Sequence, residues 1–322
     1  MRVIKKIVKW FFITLGCILV LLMILPYFFF IEERELPQDC KPYKNSEFLT
    51  SYNTRIHFQT WKPSKDSIKN YVVLIHGFSG SSFSFRKNID TLVKNNNLVV
   101  CIDMPGFGYS DKSEGANYND TIRLEIINKV LNKISPNQQW CLIGHSMGAS
   151  IIGAYASRYP SNTKKLIFID GPAFDNTKEE TSALNKLALF PPLKRWAEVI
   201  GKRKFVNYNS FNELLSSAYS QQPQQIDVLG YMQPFNYKGS AAAIFNMVAN
   251  SGYAKIDKNQ LSKFPMLLIW GEEDQWIPIS IGEEFTKLNP SIQFEKIEKA
   301  GHCSMERHAN EVNSKIINFL NN

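Results

Sequence analysis

The chain has 322 residues, 44% hydrophobic and 20% charged, enough for one large α/β domain or two smaller ones and too apolar for wholesale disorder. Its net charge of +8 does not point to nucleic acid: Arg2, Lys5, Lys6 and Lys9 supply half of it, and no basic-aromatic repeat follows. Five cysteines make no disulfide framework, although Cys40 and Cys303 are expected near the surface.

From Trp10 to Ile31 no residue is charged. At about 1.5 Å per residue this run covers roughly 33 Å, enough to cross a bilayer core of about 30 Å. Basic residues before it, and Glu32, Glu33 and Glu35 after it, predict a cytoplasmic N-terminus and a globular part outside, periplasmic in a Gram-negative cell. The rival is a cleaved signal peptide. It is disfavoured because the run ends in bulky Pro26-Tyr27-Phe28-Phe29-Phe30, with no small-x-small site. Residues 1–9 are thus read as a basic tail, 10–31 as a transmembrane signal anchor kinked near Pro26, and 32–45 as a linker.

Beyond the linker, 48–50 and 55–61 read as two strands around a turn at Tyr52-Asn53-Thr54. Continuous apolar strands follow at 71–75, 98–102, 139–143, 165–169 and 266–270, and a last strand at 292–297. Ile122, Ile126, Ile127, Val130, Leu131 and Ile134 form a helical stripe after Asp120, an expected N-cap, and Asn119-Asp120-Thr121 is a glycosylation sequon. Strands apolar on both faces and alternating with helices predict a mostly parallel sheet covered on both sides. The segment 174–252 breaks this rhythm, having helical patches, prolines and many aromatics but no strand. It is read as a helical cap inserted into a core of 46–173 and 253–322, with the basic patches at Lys194-Arg195 and Lys202-Arg203-Lys204 on a solvated face and a role at the lipid surface as the lesser alternative.

Gly144-His145-Ser146-Met147-Gly148, directly after an apolar strand, has the form of a nucleophile elbow. A serine needs a base oriented by a third group. Of the five histidines, His57 lies within a strand, His76 braces a loop and His145 is the variable elbow residue, its side chain pointing away from the chemistry. His308 belongs to the last helix and is expected to be exposed. His302 remains, in a loop after the last strand. Asp274, at the carboxyl end of the seventh strand, is the expected acid; Asp170 competes, Glu272 and Glu273 stand behind, and Asp103 is read as a turn residue. Two backbone N–H groups, of Met147 and of Phe78, are the expected oxyanion donors. Phe78, Met147 and Trp276 are taken to line the substrate pocket.

His76-Gly77-Phe78, Asp103-x-Pro-Gly-Phe-Gly-x-Ser110, the elbow, Trp270-Gly-x-x-Asp274-x-x-x-Pro278 and Gly301-His302 occur in one order. Together they resemble the α/β-hydrolase superfamily, in its capped serine-nucleophile branch of esterases, monoacylglycerol lipases and carbon–carbon hydrolases, over about residues 46–322. The resemblance implies an eight-stranded sheet, a cap after the sixth strand and an acyl-serine intermediate resolved by water, with no metal or cofactor. The expected function is a membrane-anchored hydrolase of small-molecule or lipid esters. A carbon–carbon hydrolase or perhydrolase with the same triad, and a non-catalytic binding protein on the same fold, remain alternatives.

Overall fold

The computed structural model describes residues 2–31, 34–64, 67–112, 120–171, 190–243, 255–287 and 289–322. Glu32 and Glu33, the sequon asparagine Asn119, and the two ends of the expected cap (172–189 and 244–254) lie outside the described residues.

Helix α1 (Arg2–Ile24) is exposed from Val3 to Ile24, and Val3–Phe28 is long and apolar enough to cross a membrane. The helix starts earlier than the uncharged run because Lys and Arg are good helix formers. It also ends earlier, passing into a 3-10 turn at Leu25–Phe28, because Pro26 has no N–H and its ring crowds the preceding turn.

The sheet has eight strands: β1 (Ser46–Ser51), β2 (Thr54–Trp61), β3 (Asn70–Ile75), β4 (Asn97–Ile102), β5 (Trp140–His145), β6 (Thr163–Ile169), β7 (Met266–Gly271) and β8 (Gln293–Ile297). Their order is β1-β2-β4-β3-β5-β6-β7-β8. β1 and β2 form an antiparallel hairpin closed by Tyr52 (φ 52°) and Asn53 (φ 55°), the left-handed pair that a two-residue hairpin turn requires. β2 runs antiparallel to β4, and the other pairs are parallel.

The helices of the core are α2 (Ile89–Lys94), α3 (Asp120–Ile134) and α4 (Met147–Arg158). Between β6 and β7 the described residues form α5 (Pro191–Phe205), α6 (Tyr208–Tyr219), α7 (Gln225–Met232) and the short α8 (Lys258–Leu261). α9 (Ile279–Thr286), α10 (Ser304–Arg307) and α11 (Ala309–Asn321) complete the chain.

Every residue of β4, β5 and β7 is buried, and successive side chains feed opposite layers. Val73, Ile75, Leu142, Phe168 and Leu268 pack with α3, α4 and α9; Val72, Leu74, Ile143, Ile167 and Ile269 pack with α2 and α11. Phe211 and Leu215 of α6 and Val228 and Tyr231 of α7 join the second layer, so these helices share a core with the sheet. A buried polar knot ties the same parts together. Arg86 bonds both Glu306 and Asp227, while Tyr219 donates to Glu306 at 2.8 Å and Tyr231 meets both Glu306 and Ser84.

Two surface expectations change. Cys303 is buried at the edge of the second layer; Cys40 is partly buried, and no cysteine is paired. His308 is half-buried, capping the junction of α10 and α11 instead of riding exposed on the last helix.

The layers close tightly only where a side chain is missing. A Cβ on Gly148 would stand 2.1 Å from the Ile75 carbonyl oxygen, and one on Gly144 2.4 Å from that of Gly148. Gly148→Ala is therefore expected to push α4 off β3 and cost on the order of 2 kcal/mol. In a thermal melt the transition should fall by about 4–8 °C.

Candidate active site

The parallel strands end at one rim, where a sheet of this topology gathers its functional loops. The residues following β3, β5, β6, β7 and β8 meet there: His76 to Phe78, Ser146, Asp170, Asp274 and His302.

Ser146 caps the N-terminus of α4 with φ 52° and ψ −118°, a conformation that costs a non-glycine residue about 1–3 kcal/mol. Its N–H is held by the Ile169 carbonyl at 3.0 Å, and its own carbonyl accepts from Ala149 at 2.9 Å. The turn thus stays tight and lifts Oγ clear of the sheet. The α4 dipole points its positive end at the same place. Loop 76–78 crosses close by, since a Cβ on Gly77 would lie 3.1 Å from that of Ser146.

His302 Nε2 lies 2.9 Å from Ser146 Oγ, and its Nδ1 lies 2.8 Å from Asp274 Oδ2. A carboxylate only accepts, so Nδ1 carries the proton and Nε2 offers its lone pair to the serine hydroxyl. Asp274 is itself fixed, its other oxygen accepting from the N–H groups of Trp276 (2.8 Å) and Ile277 (2.9 Å). His302 and Asp274 are buried while Ser146 is partly exposed, so the His302–Asp274 pair is shielded and solvent reaches the serine.

Asp170, the rival acid, is turned elsewhere. It accepts from Gly271 N–H (2.9 Å) and from both N–H and Oγ–H of Ser304 (2.9 and 2.7 Å), linking the ends of β6 and β7 to the loop just past His302. Burial, and then the charge of Asp274, push its carboxyl up to about 7 against the pull of His302. His145 makes a contact that its position in the motif did not suggest. Its Nε2 donates to the His302 carbonyl at 2.7 Å, and the two rings lie 5.0 Å apart. Burial and then His302 push its pKa down to about 3, so it stays neutral and acts as a hydrogen-bonded prop. His76 braces its loop as expected, accepting from Met104 N–H at 3.0 Å and donating to the Gly77 carbonyl at 2.7 Å.

Of the expected pocket residues, Trp276 stacks on His302 (5.1 Å between centroids, 27° between planes) and remains 43% exposed. Phe78 is 45% exposed beside Phe107, and Met147 is half-buried at the start of α4. Neither the His145 prop nor the Asp170 brace carries a sequence signal, because each acts on a residue more than a hundred positions away, and largely through its main chain.

A family model described as alpha/beta hydrolase fold matches residues 70–309. The chain is 26% identical to the monoacylglycerol lipase ABHD6 of Mus musculus, covering 78% of this chain and 76% of that protein. It is 24% identical to a 2-hydroxy-6-oxononadienedioate/2-hydroxy-6-oxononatrienedioate hydrolase of Paraburkholderia phymatum, covering 83% and 91%. Among solved structures, a bacterial membrane phospholipase A described as a virulence factor superposes with a TM-score of 0.67 over 98% of both chains, at 20% identity; that likeness is one of fold.

A second serine–histidine–aspartate line lies deeper in the molecule. Ser46 Oγ is 2.8 Å from His57 Nε2, and His57 Nδ1 is 2.7 Å from Asp103 Oδ2. All three are buried, and Ser46 sits on an edge strand with no elbow. Asp103 also accepts from Ser82 and Tyr109 N–H at 2.6 and 2.8 Å, which makes it the anchor of the loop after β4. Burial raises its pKa, but His57 and these bonds outweigh that and bring it down to about 2. A carboxyl whose folded pKa is depressed stabilises the fold above its unfolded pKa, near 4. Here that is about 2 kcal/mol at neutral pH, with roughly half lost by pH 3. Asp103→Asn should lower stability at pH 7 and flatten its decline between pH 5 and pH 3, measured by denaturant titration against the parent.

Proposed function

The chain belongs to the alpha/beta hydrolase fold family, and from that premise we propose that it is a membrane-anchored serine hydrolase of carboxylic esters, acting on apolar or aromatic small molecules or lipids. One observation carries this: His302 bridges Ser146 Oγ and Asp274 at hydrogen-bond distance, at the positive end of α4.

In this reading Ser146 is the nucleophile, His302 the base and Asp274 the group that holds the imidazole in its tautomer. His302 Nε2 takes the hydroxyl proton as Oγ bonds to the ester carbonyl carbon. The N–H groups of Met147 and Phe78 receive the oxyanion, each worth roughly 3 kcal/mol of barrier. The C–O bond then breaks, the alcohol leaving with the proton from Nε2, and a water repeats the cycle on the acyl-serine. Trp276 shields one face of His302 and, with Phe78 and Met147, offers apolar surface to the acyl or alcohol part.

Helices α5 to α7 are assigned to a cap over this rim, and α1 to a signal anchor with the N-terminus cytoplasmic and the hydrolase outside. Four basic residues before the apolar stretch support that topology. A lipid ester fits the anchor, and the relative named as a monoacylglycerol lipase supports it. A second reading, cleavage of a carbon–carbon bond in a diketone-type acid, keeps every role above and is supported by the Paraburkholderia relative.

Ser146→Ala should lose labelling by a fluorophosphonate probe and at least about 10⁴-fold in turnover of short p-nitrophenyl esters, and Asp274→Asn about 10⁴-fold in turnover. Ser46→Ala should keep both activities; retained turnover in Ser146→Ala would sink the proposal. Faster cleavage of a diketone-type acid than of any ester would select the second reading. For the anchor, the full chain should stay with membranes in alkaline carbonate and leave them only in detergent.

A further inference from the structure

Helix α5 is fastened to the outer end of α1. The Trp196 indole donates its N–H to the Leu22 carbonyl at 2.7 Å. In an α-helix that carbonyl would accept from residue 26, and Pro26 has no N–H to give, so Trp196 takes the vacant donor's place. Around the same point the Phe29 ring lies 5.7 Å from Trp196, Arg195 donates to the Phe29 carbonyl at 3.1 Å, and the Arg203 guanidinium lies over the Phe29 ring at 4.8 Å.

This attachment fixes a depth. Leu22 precedes Phe28, the end of the candidate span Val3–Phe28, by roughly 9 Å along its axis, at about 1.5 Å per residue. If that stretch spans a bilayer, a side chain bonded to the Leu22 carbonyl cannot stand clear of the head groups. The composition of α5 agrees. Leu193, Trp196 and Ile200 follow one another at i, i+3 and i+7 on the face bearing the Leu22 bond, and Leu193 and Ile200 remain 45% and 49% exposed. Arg203 and Lys204 lie exposed at the end of that face. Glu198 is the one acid of α5 and pairs with Arg195.

We propose that α5 is a membrane-surface helix. It lies in the head-group layer of the leaflet where α1 ends, with Leu193 and Ile200 at the acyl boundary and Arg203 and Lys204 against phosphates of anionic phospholipids. The inference rests on the reading of α1 as a membrane span. It takes the lesser of the two readings of the basic patches, the lipid surface, over a solvated face: Arg195 and Arg203 face Phe29, and Lys202 donates to the Phe235 carbonyl at 2.7 Å.

The test uses the full chain, with Cys17→Ser and Cys40→Ser, reconstituted in phosphatidylcholine/phosphatidylglycerol vesicles. Cys101, Cys141 and Cys303 are buried, so a single accessible cysteine for an environment-sensitive fluorophore is placed by Ile200→Cys, by Leu21→Cys on α1, or by Glu284→Cys on α9. Lipids spin-labelled near the head group should quench the label at 200 at least threefold more than the label at 284. Lipids labelled deep in the acyl chain should quench the label at 21. If 200 is quenched no more than 284 while 21 is quenched, the surface helix is overturned and the anchor stands; if 21 is not quenched, both fall. With Arg203→Glu and Lys204→Glu added, quenching at 200 should drop at least twofold. Unchanged quenching would overturn the assignment of those two residues to lipid phosphates. A thermal melt of each variant checks that it is folded.

Discussion

The site depends on how closely α4 can approach β3. At Gly148 the helix backbone lies where a single methyl group would meet the Ile75 carbonyl, and Gly144 leaves the matching space on the strand side. With α4 pressed down, the chain must turn from β5 into the helix in one residue, and Ser146 takes the strained conformation that results. The same approach brings the positive end of α4, loop 76–78 and Ser146 Oγ together. The strain is held by ordinary bonds on either side, the Ser146 N–H donating to the Ile169 carbonyl and the Ala149 N–H donating to the Ser146 carbonyl.

Three buried aspartates at this end of the sheet show how environment divides one chemistry into several jobs. Asp103 faces His57 and two further N–H donors, and is held near 2 despite complete burial. Asp170 has main-chain and hydroxyl donors but no imidazole bonded to it, and burial raises it to about 7. Asp274 alone combines an imidazole at hydrogen-bond distance with a serine beyond it that solvent can reach. The buried line Ser46-His57-Asp103 has nearly the same spacings. Access and the elbow, not hydrogen-bond distances, separate a candidate catalyst from a structural brace.

Much of this is legible in the sequence. The strands announced themselves because a sheet covered on both faces needs apolar residues at every position, and the elbow did so because glycines at both flanks are a steric requirement. His302 and Asp274 could be found because strand-end loops are the places from which a side chain can reach Ser146. Less legible were contacts made through the main chain. His145 supports His302 through a carbonyl, and Asp170 braces the same loop through the N–H of Gly271 and the N–H and hydroxyl of Ser304, contacts that span more than a hundred residues and fall in no local motif. The burial of Cys303 and the half-burial of His308 were missed for a related reason: helix packing at α10 and α11 decides them, and a short irregular junction carries no periodicity.

By itself the sequence determined the alternation of strands and helices, the apolar stretch at the N-terminus, and the residue types of the Ser146, Asp274 and His302 set, because each is a local matter of period, length or steric need. Only the tertiary structure decided which acid faces His302, which serine–histidine–aspartate line opens to solvent, and where α5 lies. Those depend on which distant groups come to share a space. The Leu22 carbonyl shows the division: its missing donor is written at Pro26, four residues on, but that Trp196 supplies one is known only once the chain has folded back on itself.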